Sequence, residues 1–178
     1  QKMLIEYWKL HRESFDEASF QNCYDVQKIV EFKKRRKPNI AMFGFAFAAG
    51  GGETFSIILA NVLYEKGYSI TYVNFDCDNR VPAIRAMLNP TIPVINLSRT
   101  STLPIYMSLA GIEILHSDHG CVDLVINDLR KYMPKCKHII TLHGFYETMN
   151  EHDLKTIIPK ICKKVDFLVY TADKNLGA

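Results

Sequence analysis

The stretch NIAMFGFAFAAGGGETFSIILANVLYEKGYSITYVNF, residues 39–75, decides the fold class. It opens with an almost continuous apolar run at 40–47, which is typical of a strand buried on both faces. Three glycines follow, and residues 53–66 then carry apolar side chains at helical spacing. Gly67 is a suitable helix stop, and the β-branched and aromatic residues at 69–75 predict a second strand. A strand, a helix and a second strand in this order predict a parallel β-α-β unit.

The same alternation continues to the end of the chain. Further strands are predicted at 92–97, 112–116, 138–142 and 167–171, and helices at 122–132 and 154–164. Pro82 and Pro90 limit any helix within 76–91, and Pro159 is expected to kink the last helix or to mark its start. Strands that alternate with helices predict an α/β fold over residues 39–178, with a Rossmann-like, mostly parallel sheet and flanking helices.

Residues 1–38 differ from the rest because they are polar and rich in Glu, Lys and Arg. A capping-box pattern at Ser14–Glu17 and a weak apolar stripe predict two helices, at about 2–12 and 15–35. We therefore expect a helical extension over residues 1–38. The basic run at 33–37 closes it, either as a solvated helix end or as a peripheral contact with anionic lipid headgroups.

Composition excludes several classes of protein. The chain has 178 residues, of which 48% are hydrophobic and 23% charged, so a disordered or collagen-like chain is not expected. The net charge of +3 gives no strongly basic field, so no nucleic-acid partner is expected. The five cysteines are scattered, which argues against a disulfide framework and for a cytoplasmic location. Because the chain opens with Gln1 and stops just after a strand-like segment, we expect it to be part of a longer protein.

The glycine-rich loop after the first strand is the most informative local feature. Gly50, Gly51 and Gly52 let the backbone approach a ligand closely and adopt positive φ. The helix that follows offers free amides and a partial positive charge, which suit a phosphate group. Glu53 stands where a Walker A lysine belongs, and the G-x-G-x-x-G fingerprint is absent. The loop therefore predicts either a phosphate-binding turn of neither standard type or a tight turn without a ligand.

Histidines follow two other predicted strands. One strand runs into His116-Ser-Asp-His119, and another runs into His143-Gly144. Because parallel strands end at one edge of a sheet, we expect these histidines to lie near the glycine turn. Imidazoles there can hydrogen-bond to sugar hydroxyls or phosphate oxygens, although a core or capping role is the alternative for each. A metal site on His116, Asp118 and His119 is not expected.

The order of these segments resembles the N-terminal domain of a family 4 retaining glycosyltransferase with the GT-B fold. The resemblance covers about residues 39–176 and rests on four segments. These are the Gly-Gly-x-Glu turn with its long helix, the strand ending at His116–His119, the strand ending at Thr141–Gly144, and the strand and helix start at 165–176. In this family two Rossmann-like domains face each other across a cleft. The C-terminal domain holds the nucleotide-sugar, usually with a Glu-x7-Glu motif that this sequence lacks.

The resemblance implies the acceptor-side domain of an enzyme that transfers a sugar from a nucleotide-sugar to a glycan or lipid-linked acceptor. The process implied is cell-surface polysaccharide or glycoconjugate synthesis, in the cytoplasm or at the inner membrane face. The resemblance also implies a reaction that needs neither a metal nor a tightly bound cofactor. This domain alone is expected to be inactive without a C-terminal donor domain. His143 is the expected catalytic residue. The expected substrate-binding and donor-phosphate-binding residues are Gly50, Gly51, Gly52, Glu53, His116, His119 and Gly144.

Two other functions stay open at this point. The glycine turn, the long helix and Val73-Asn-Phe-Asp76 also resemble partitioning-type ATPases with a degenerate P-loop. Asp76 and Asp78 follow the predicted second strand, where a carboxylate often meets a ribose, although a solvated loop is the alternative. The third function is a non-enzymatic adaptor domain, in which the basic N-terminal helices dock a partner or a membrane surface.

Overall fold

A computed structural model of the chain describes residue 6 and residues 37–96, 103–143, 150–156, 158–163 and 165–171. Nearly all of the predicted helical extension over residues 1–38 lies outside these residues. Residues 33–36 of the basic run at 33–37 lie outside them, and so does Gly144. Among the described residues, no helix is long and apolar enough to cross a membrane.

In the described part of the chain, six strands form one sheet in which every neighbouring pair is parallel. The strands are β1 (Asn39–Phe47), β2 (Ser69–Arg80), β3 (Val94–Asn96), β4 (Ile112–Ser117), β5 (Lys137–Leu142) and β6 (Phe167–Tyr170). Their order in the sheet is β3-β2-β1-β4-β5-β6, which is the order of a dinucleotide-binding Rossmann domain. The predicted Rossmann-like α/β fold is confirmed.

The helices of the described residues are α1 (Gly51–Glu65), α2 (Pro82–Arg85), α3 (Leu103–Ala110), α4 (Gly120–Leu129), α5 (Glu151–Thr156) and α6 (Ile158–Cys162). Gly67 follows α1 with a φ of 85°, as the predicted helix stop requires. Pro159 is the second residue of α6 and so marks a helix start, as a proline can in the first turn. Helix α3 was not predicted from the sequence, and the predicted end of β2, at Phe75, is five residues early.

Strand β1 lies at the centre of the sheet and is buried on both faces. Its alternate side chains point in opposite directions, so they enter two different buried clusters. One cluster joins β1 to α1 and includes Ile40, Met42, Ile57, Ala60 and Tyr72. The other joins β1 to α3 and α4 and includes Ala41, Phe43, Tyr106, Val122 and Ile126. The two clusters hold helices against both faces of the sheet, as the apolar run at 40–47 predicts.

Gly44 lies in β1 where the side chain of Tyr72 crosses over it. A Cβ atom built on Gly44 would overlap the Tyr72 hydroxyl oxygen and would lie 2.5 Å from Tyr72 Cζ. Tyr72 is fully buried, and its hydroxyl oxygen lies 2.8 Å from Ser56 Oγ on α1. Because the ring has no room to withdraw, packing rather than backbone conformation requires a glycine here.

We expect Gly44→Ala to lower the free energy of unfolding by about 1–3 kcal/mol, the usual cost of overpacking a core. Gly51→Ala is the matched control, because its added Cβ meets no atom within 4 Å. The control should stay within about 0.5 kcal/mol of the wild type. Urea denaturation measures both variants, and a Gly44→Ala protein as stable as the wild type would contradict this view of the core.

Candidate ligand site at the carboxyl edge of the sheet

The chain leaves β1 and β4 toward opposite faces of the sheet, although these strands are neighbours. After β1 it enters α1, whose Ile57 packs with Met42 on one face. After β4 it enters α4, whose Ile126 packs with Phe43 on the other face. Such a divergence opens a crevice beyond the carboxyl ends of the two strands, where open α/β sheets bind their ligands.

The glycine turn forms one side of this crevice. Gly50 precedes α1 in an extended conformation, with a φ of −177°, and Gly51 and Gly52 are the first two residues of the helix. The turn does not use positive φ, since the described glycines with positive φ are Gly67 and Gly111. Cβ atoms built on Gly51 and Gly52 meet no atom within 4 Å. These two glycines therefore leave open space at the start of α1.

Glu53 folds back beside the turn. A Cβ atom on Gly50 would overlap Glu53 Oε2 and would lie 2.9 Å from its Cδ. A carboxyl group at the third position of a helix is favoured by the partial positive charge of the N-terminus. Glu53 thus places an acidic group beside Gly50, while the space at Gly51 and Gly52 stays open.

Three polar residues on the other side of the crevice carry buried atoms that have no hydrogen-bond partner among the described residues. These atoms are Asp118 Oδ2, His119 Nδ1 and His143 Nε2. The side chain of Asp118 is only 4% exposed, and that of His143 is 19% exposed. Asp118 Oδ2 and His143 Nε2 lie 3.7 Å apart, which is too far for a direct hydrogen bond. Buried polar atoms without partners are rare in proteins, so three of them at one edge indicate a functional site.

Aromatic side chains fix the two imidazole rings. Phe45 of β1 stacks on His119, with ring centroids 4.3 Å apart and planes at 16°. Phe55 of α1 meets His143 edge-on, at 4.4 Å and 69°. Each ring is therefore held by apolar packing, and one of its nitrogens is buried without a hydrogen-bond partner among the described residues.

Burial keeps this cluster uncharged near neutral pH. Desolvation raises the pKa of Asp118 to about 8, and the negative charges of Asp123 and Glu53 add to the effect. Desolvation also lowers the pKa of His119 and of His143, and Glu53 opposes this in both cases. At pH 7 burial therefore favours the neutral forms of Asp118 and His143, since it penalises the charged forms. The crevice offers uncharged hydrogen-bonding groups rather than an ion pair.

His116 does not lie with them, which corrects its predicted position at the ligand edge. Its side chain is buried on a face of the sheet, with Nε2 2.9 Å from Thr141 Oγ1 and Nδ1 3.0 Å from Met42 Sδ. Burial lowers its pKa to about 4. The reason is the alternation of side chains in β4, which continues one residue beyond His116 to Ser117. His116 is a core histidine with both ring nitrogens against protein atoms.

A second buried polar cluster, which was not predicted from the sequence, lies beside the turn after β4. Ser117 Oγ donates a hydrogen bond to Asp123 Oδ1 and lies 3.0 Å from His138 Nε2. All three side chains are at most 1% exposed. Burial raises the pKa of Asp123 to about 7 and lowers that of His138 to about 4. The cluster ties α4 to β4 and β5, and so fixes the turn that carries Asp118. The one signal in the sequence is a histidine directly before the apolar pair Ile139 and Ile140 of β5.

The remaining predicted positions fall elsewhere. Asp76 lies within β2, opposite Ala46, because the ladder between β1 and β2 continues to Arg80. It does not follow the strand as expected. No group of three or more His, Cys, Asp or Glu side chains in the described part of the chain is placed to hold a metal ion.

Comparisons with known proteins bear on the fold. No protein-family model matches the sequence, and no curated protein matches it significantly. Among solved structures, an alpha-glucosyltransferase in complex with UDP and a 13-mer DNA containing an HMU base matches with a TM-score of 0.51 and 11% identity. The match covers 75% of this chain and 38% of that one. A Clostridium thermocellum family 3 carbohydrate esterase matches with a TM-score of 0.42 and 13% identity, over 78% of this chain and 83% of that one.

The chain thus spans well under half the length of the glucosyltransferase. At 11% identity the likeness shows the fold alone. The chain has a glycosyltransferase-like Rossmann α/β fold, and this likeness does not extend to family 4 in particular.

We expect Asp118→Asn to stabilise the protein near neutral pH. The folded pKa of Asp118, about 8, lies above the unfolded value of about 3.9. At a pH between these values the folded state holds a proton that the unfolded state has lost. The contribution of Asp118 to stability is therefore complete below about pH 4 and is lost as the pH rises toward 8. The introduced amide resembles the protonated carboxyl and does not titrate. Thermal unfolding should show a gain from the substitution that is small at about pH 4 and exceeds about 1 kcal/mol at about pH 8.

Asp166→Asn is the matched control for this series. A hydrogen bond from the His138 backbone amide, helped by Lys137 and Arg130, lowers the pKa of Asp166. Its contribution is therefore present above the unfolded pKa and is lost as the pH falls, so Asp166→Asn should destabilise the protein at neutral pH. If the difference in stability between Asp118→Asn and the wild type is constant across the pH range, the pKa of Asp118 does not change on folding, which would contradict this account.

Proposed function

We propose that this chain is the acceptor-side domain of a retaining glycosyltransferase of the family 4, GT-B type, which transfers a sugar from a nucleotide-sugar to a glycan or lipid-linked acceptor. The observation that carries the proposal is the neutral cluster of Asp118, His119 and His143 beside the open glycine turn. The glycosyltransferase-like fold supports it at the level of architecture. The order of the sequence segments supports the finer assignment.

The chemistry of the crevice suits a sugar. A hexose is uncharged, and its hydroxyl groups both donate and accept hydrogen bonds. Neutral imidazoles and a protonated carboxyl group offer the same mixture of donors and acceptors. Phe45 and Phe55 add apolar surface beside these groups, as is usual in small-molecule sites. A neutral hexosyl group therefore fits this side of the crevice better than an anion does.

The glycine turn suits the leaving diphosphate of the donor. Glycosyl transfer builds negative charge on the diphosphate, and free amides at a helix N-terminus stabilise such charge without reorganisation. Gly51 and Gly52 leave the approach open, since no atom lies within 4 Å of a Cβ built on either. We assign them to this contact, with the rest of the donor held by a C-terminal domain.

His143 is the proposed catalytic residue. Its ring is held by Phe55, and its Nε2 has no hydrogen-bond partner among the described residues. A neutral imidazole in this position orients a sugar hydroxyl at the carboxyl end of β5. The proposal includes a reaction without metal or bound cofactor, a role in polysaccharide or glycoconjugate synthesis, and peripheral contact with the cytoplasmic membrane face through residues 33–37.

The same geometry disfavours the partitioning-type ATPase. A P-loop uses a lysine to neutralise the β- and γ-phosphates. Here the corresponding residue is Glu53, and its carboxyl group lies beside the turn. The turn therefore lacks the cation that a P-loop ATPase places on its triphosphate.

We expect His143→Ala in the full protein to lower turnover by at least about tenfold, or ~1.4 kcal/mol of transition-state stabilisation, with no loss of folding. The reason is that His143 lies at the edge of the sheet, outside both buried clusters. Release of nucleoside diphosphate from UDP-glucose and GDP-mannose measures turnover, and thermal unfolding measures stability.

His152→Ala is the matched control, because His152 is an exposed histidine on α5. It should keep normal turnover. A folded His143→Ala protein with normal turnover would remove His143 from the site.

We also expect Gly52→Leu to block the donor. The fold should tolerate the change, because a Cβ on Gly52 meets no atom within 4 Å, but the leucine side chain fills the space at the start of α1. Binding of UDP-glucose should weaken by at least about tenfold, or ~1.4 kcal/mol, while the melting temperature stays unchanged. Val62→Leu adds bulk at an exposed position of the same helix and should bind as the wild type does. Unchanged binding by Gly52→Leu would show that the turn is not a ligand contact.

A further inference from the structure

We propose that Asp118 is a further ligand-binding residue of this site, which donates a hydrogen bond from its protonated carboxyl group to a hydroxyl oxygen of the bound sugar. The inference rests on the proposed function, because the ligand is the sugar of that reaction. It gives Asp118 a direct contact with substrate, beside the catalytic role proposed for His143.

The first support is the distance between two unpartnered atoms. Asp118 Oδ2 and His143 Nε2 lie 3.7 Å apart, and neither has a hydrogen-bond partner among the described residues. Both atoms are buried, so a hydroxyl oxygen reaches them only by displacing side chains around them. It can then lie about 2.8 Å from both atoms at once, which is an ordinary hydrogen-bond length. That hydroxyl accepts the proton of the Asp118 carboxyl group and donates its own to the lone pair of Nε2, with His143 protonated on Nδ1. A single sugar hydroxyl thus satisfies both buried groups.

The second support is the burial of Asp118 and the charges around it. Its side chain is only 4% exposed, so an ionised carboxylate there would lack solvent. The acidic groups that act on it come from two other elements, Glu53 of α1 and Asp123 of α4. The other titratable groups around it are Tyr72 of β2, the adjacent His119 and His143 after β5. Both acidic neighbours favour the protonated carboxyl, whereas a hydrogen bond from its own backbone amide favours the ionised form. Burial has the largest effect and raises the pKa of Asp118 to about 8.

A purely structural role as the cap of α4 does not account for these contacts. A capping carboxylate accepts hydrogen bonds from the first amides of its helix and is ionised. In this protein the amides of Val122 and Asp123 bond to the carbonyl oxygen of His119, at 2.9 and 3.1 Å. Asp118 Oδ2 is left facing His143.

The test compares the binding of UDP-glucose and GDP-mannose by the wild type, Asp118→Asn and Asp118→Ala from about pH 6 to pH 9.5, by isothermal titration calorimetry on the full protein. The wild type should lose affinity as the pH rises through about 8, because the ionised carboxyl can no longer donate. Asp118→Asn keeps a neutral donor, so it should bind within about threefold of the wild type at pH 7 and show no loss at high pH. Asp118→Ala should bind at least about tenfold more weakly at pH 7.

Asp166→Asn, which changes a carboxyl group at the opposite end of β5, should keep the wild-type pH profile. If Asp118→Ala binds as tightly as the wild type, or if Asp118→Asn still loses affinity at high pH, the role of Asp118 is overturned. The proposed function then rests on His119, His143 and the glycine turn. If the folded wild type binds neither nucleotide-sugar at any pH, both proposals fall. Should Asp118→Ala not fold, the pH profile of Asp118→Asn still decides between the outcomes.

Discussion

The pairing of β1 on both of its edges is the constraint on which the rest of the structure depends. β2 and β4 both run parallel to β1, and each face of β1 is covered by a different buried cluster. The chain must therefore leave β1 on one face and β4 on the other, and this opens the crevice. The glycine turn, Asp118, His119 and His143 all take their positions from that divergence.

Burial then decides the chemistry of the crevice. Each polar group there loses solvent, so the neutral form is favoured for carboxyl and imidazole alike. Glu53 adds an acidic group at the start of α1, and its influence reaches Asp118, His119 and His143. The result is a site with two sides. The uncharged, aromatic-lined side is the one proposed for the sugar, and the open space at Gly51 and Gly52 is the one proposed for the diphosphate.

The sequence allowed the fold to be predicted further than the site. Residues 39–75 predict the parallel unit because a strand buried on both faces must be apolar throughout. The helix α3 escaped prediction because Leu103–Ala110 is apolar without a polar face and carries a proline in its first turn. His143 and His119 follow strands and lie at the predicted edge. His116 does not lie at that edge, because β4 continues beyond it to Ser117 and its side chain is buried on a face of the sheet. Asp118 drew attention only as a metal ligand, because its burial arises from contacts with α1 and α4 that no local pattern records.

The most direct test of the central claim is the histidine spectrum of the protein by nuclear magnetic resonance during titration with a nucleotide-sugar. The imidazole Cε1–Hε1 signals report each ring separately. Addition of UDP-glucose or GDP-mannose at neutral pH should shift the signals of His119 and His143, which line the crevice, and leave those of the core residues His116 and His138 in place. A titration in which neither His119 nor His143 moves would contradict the account.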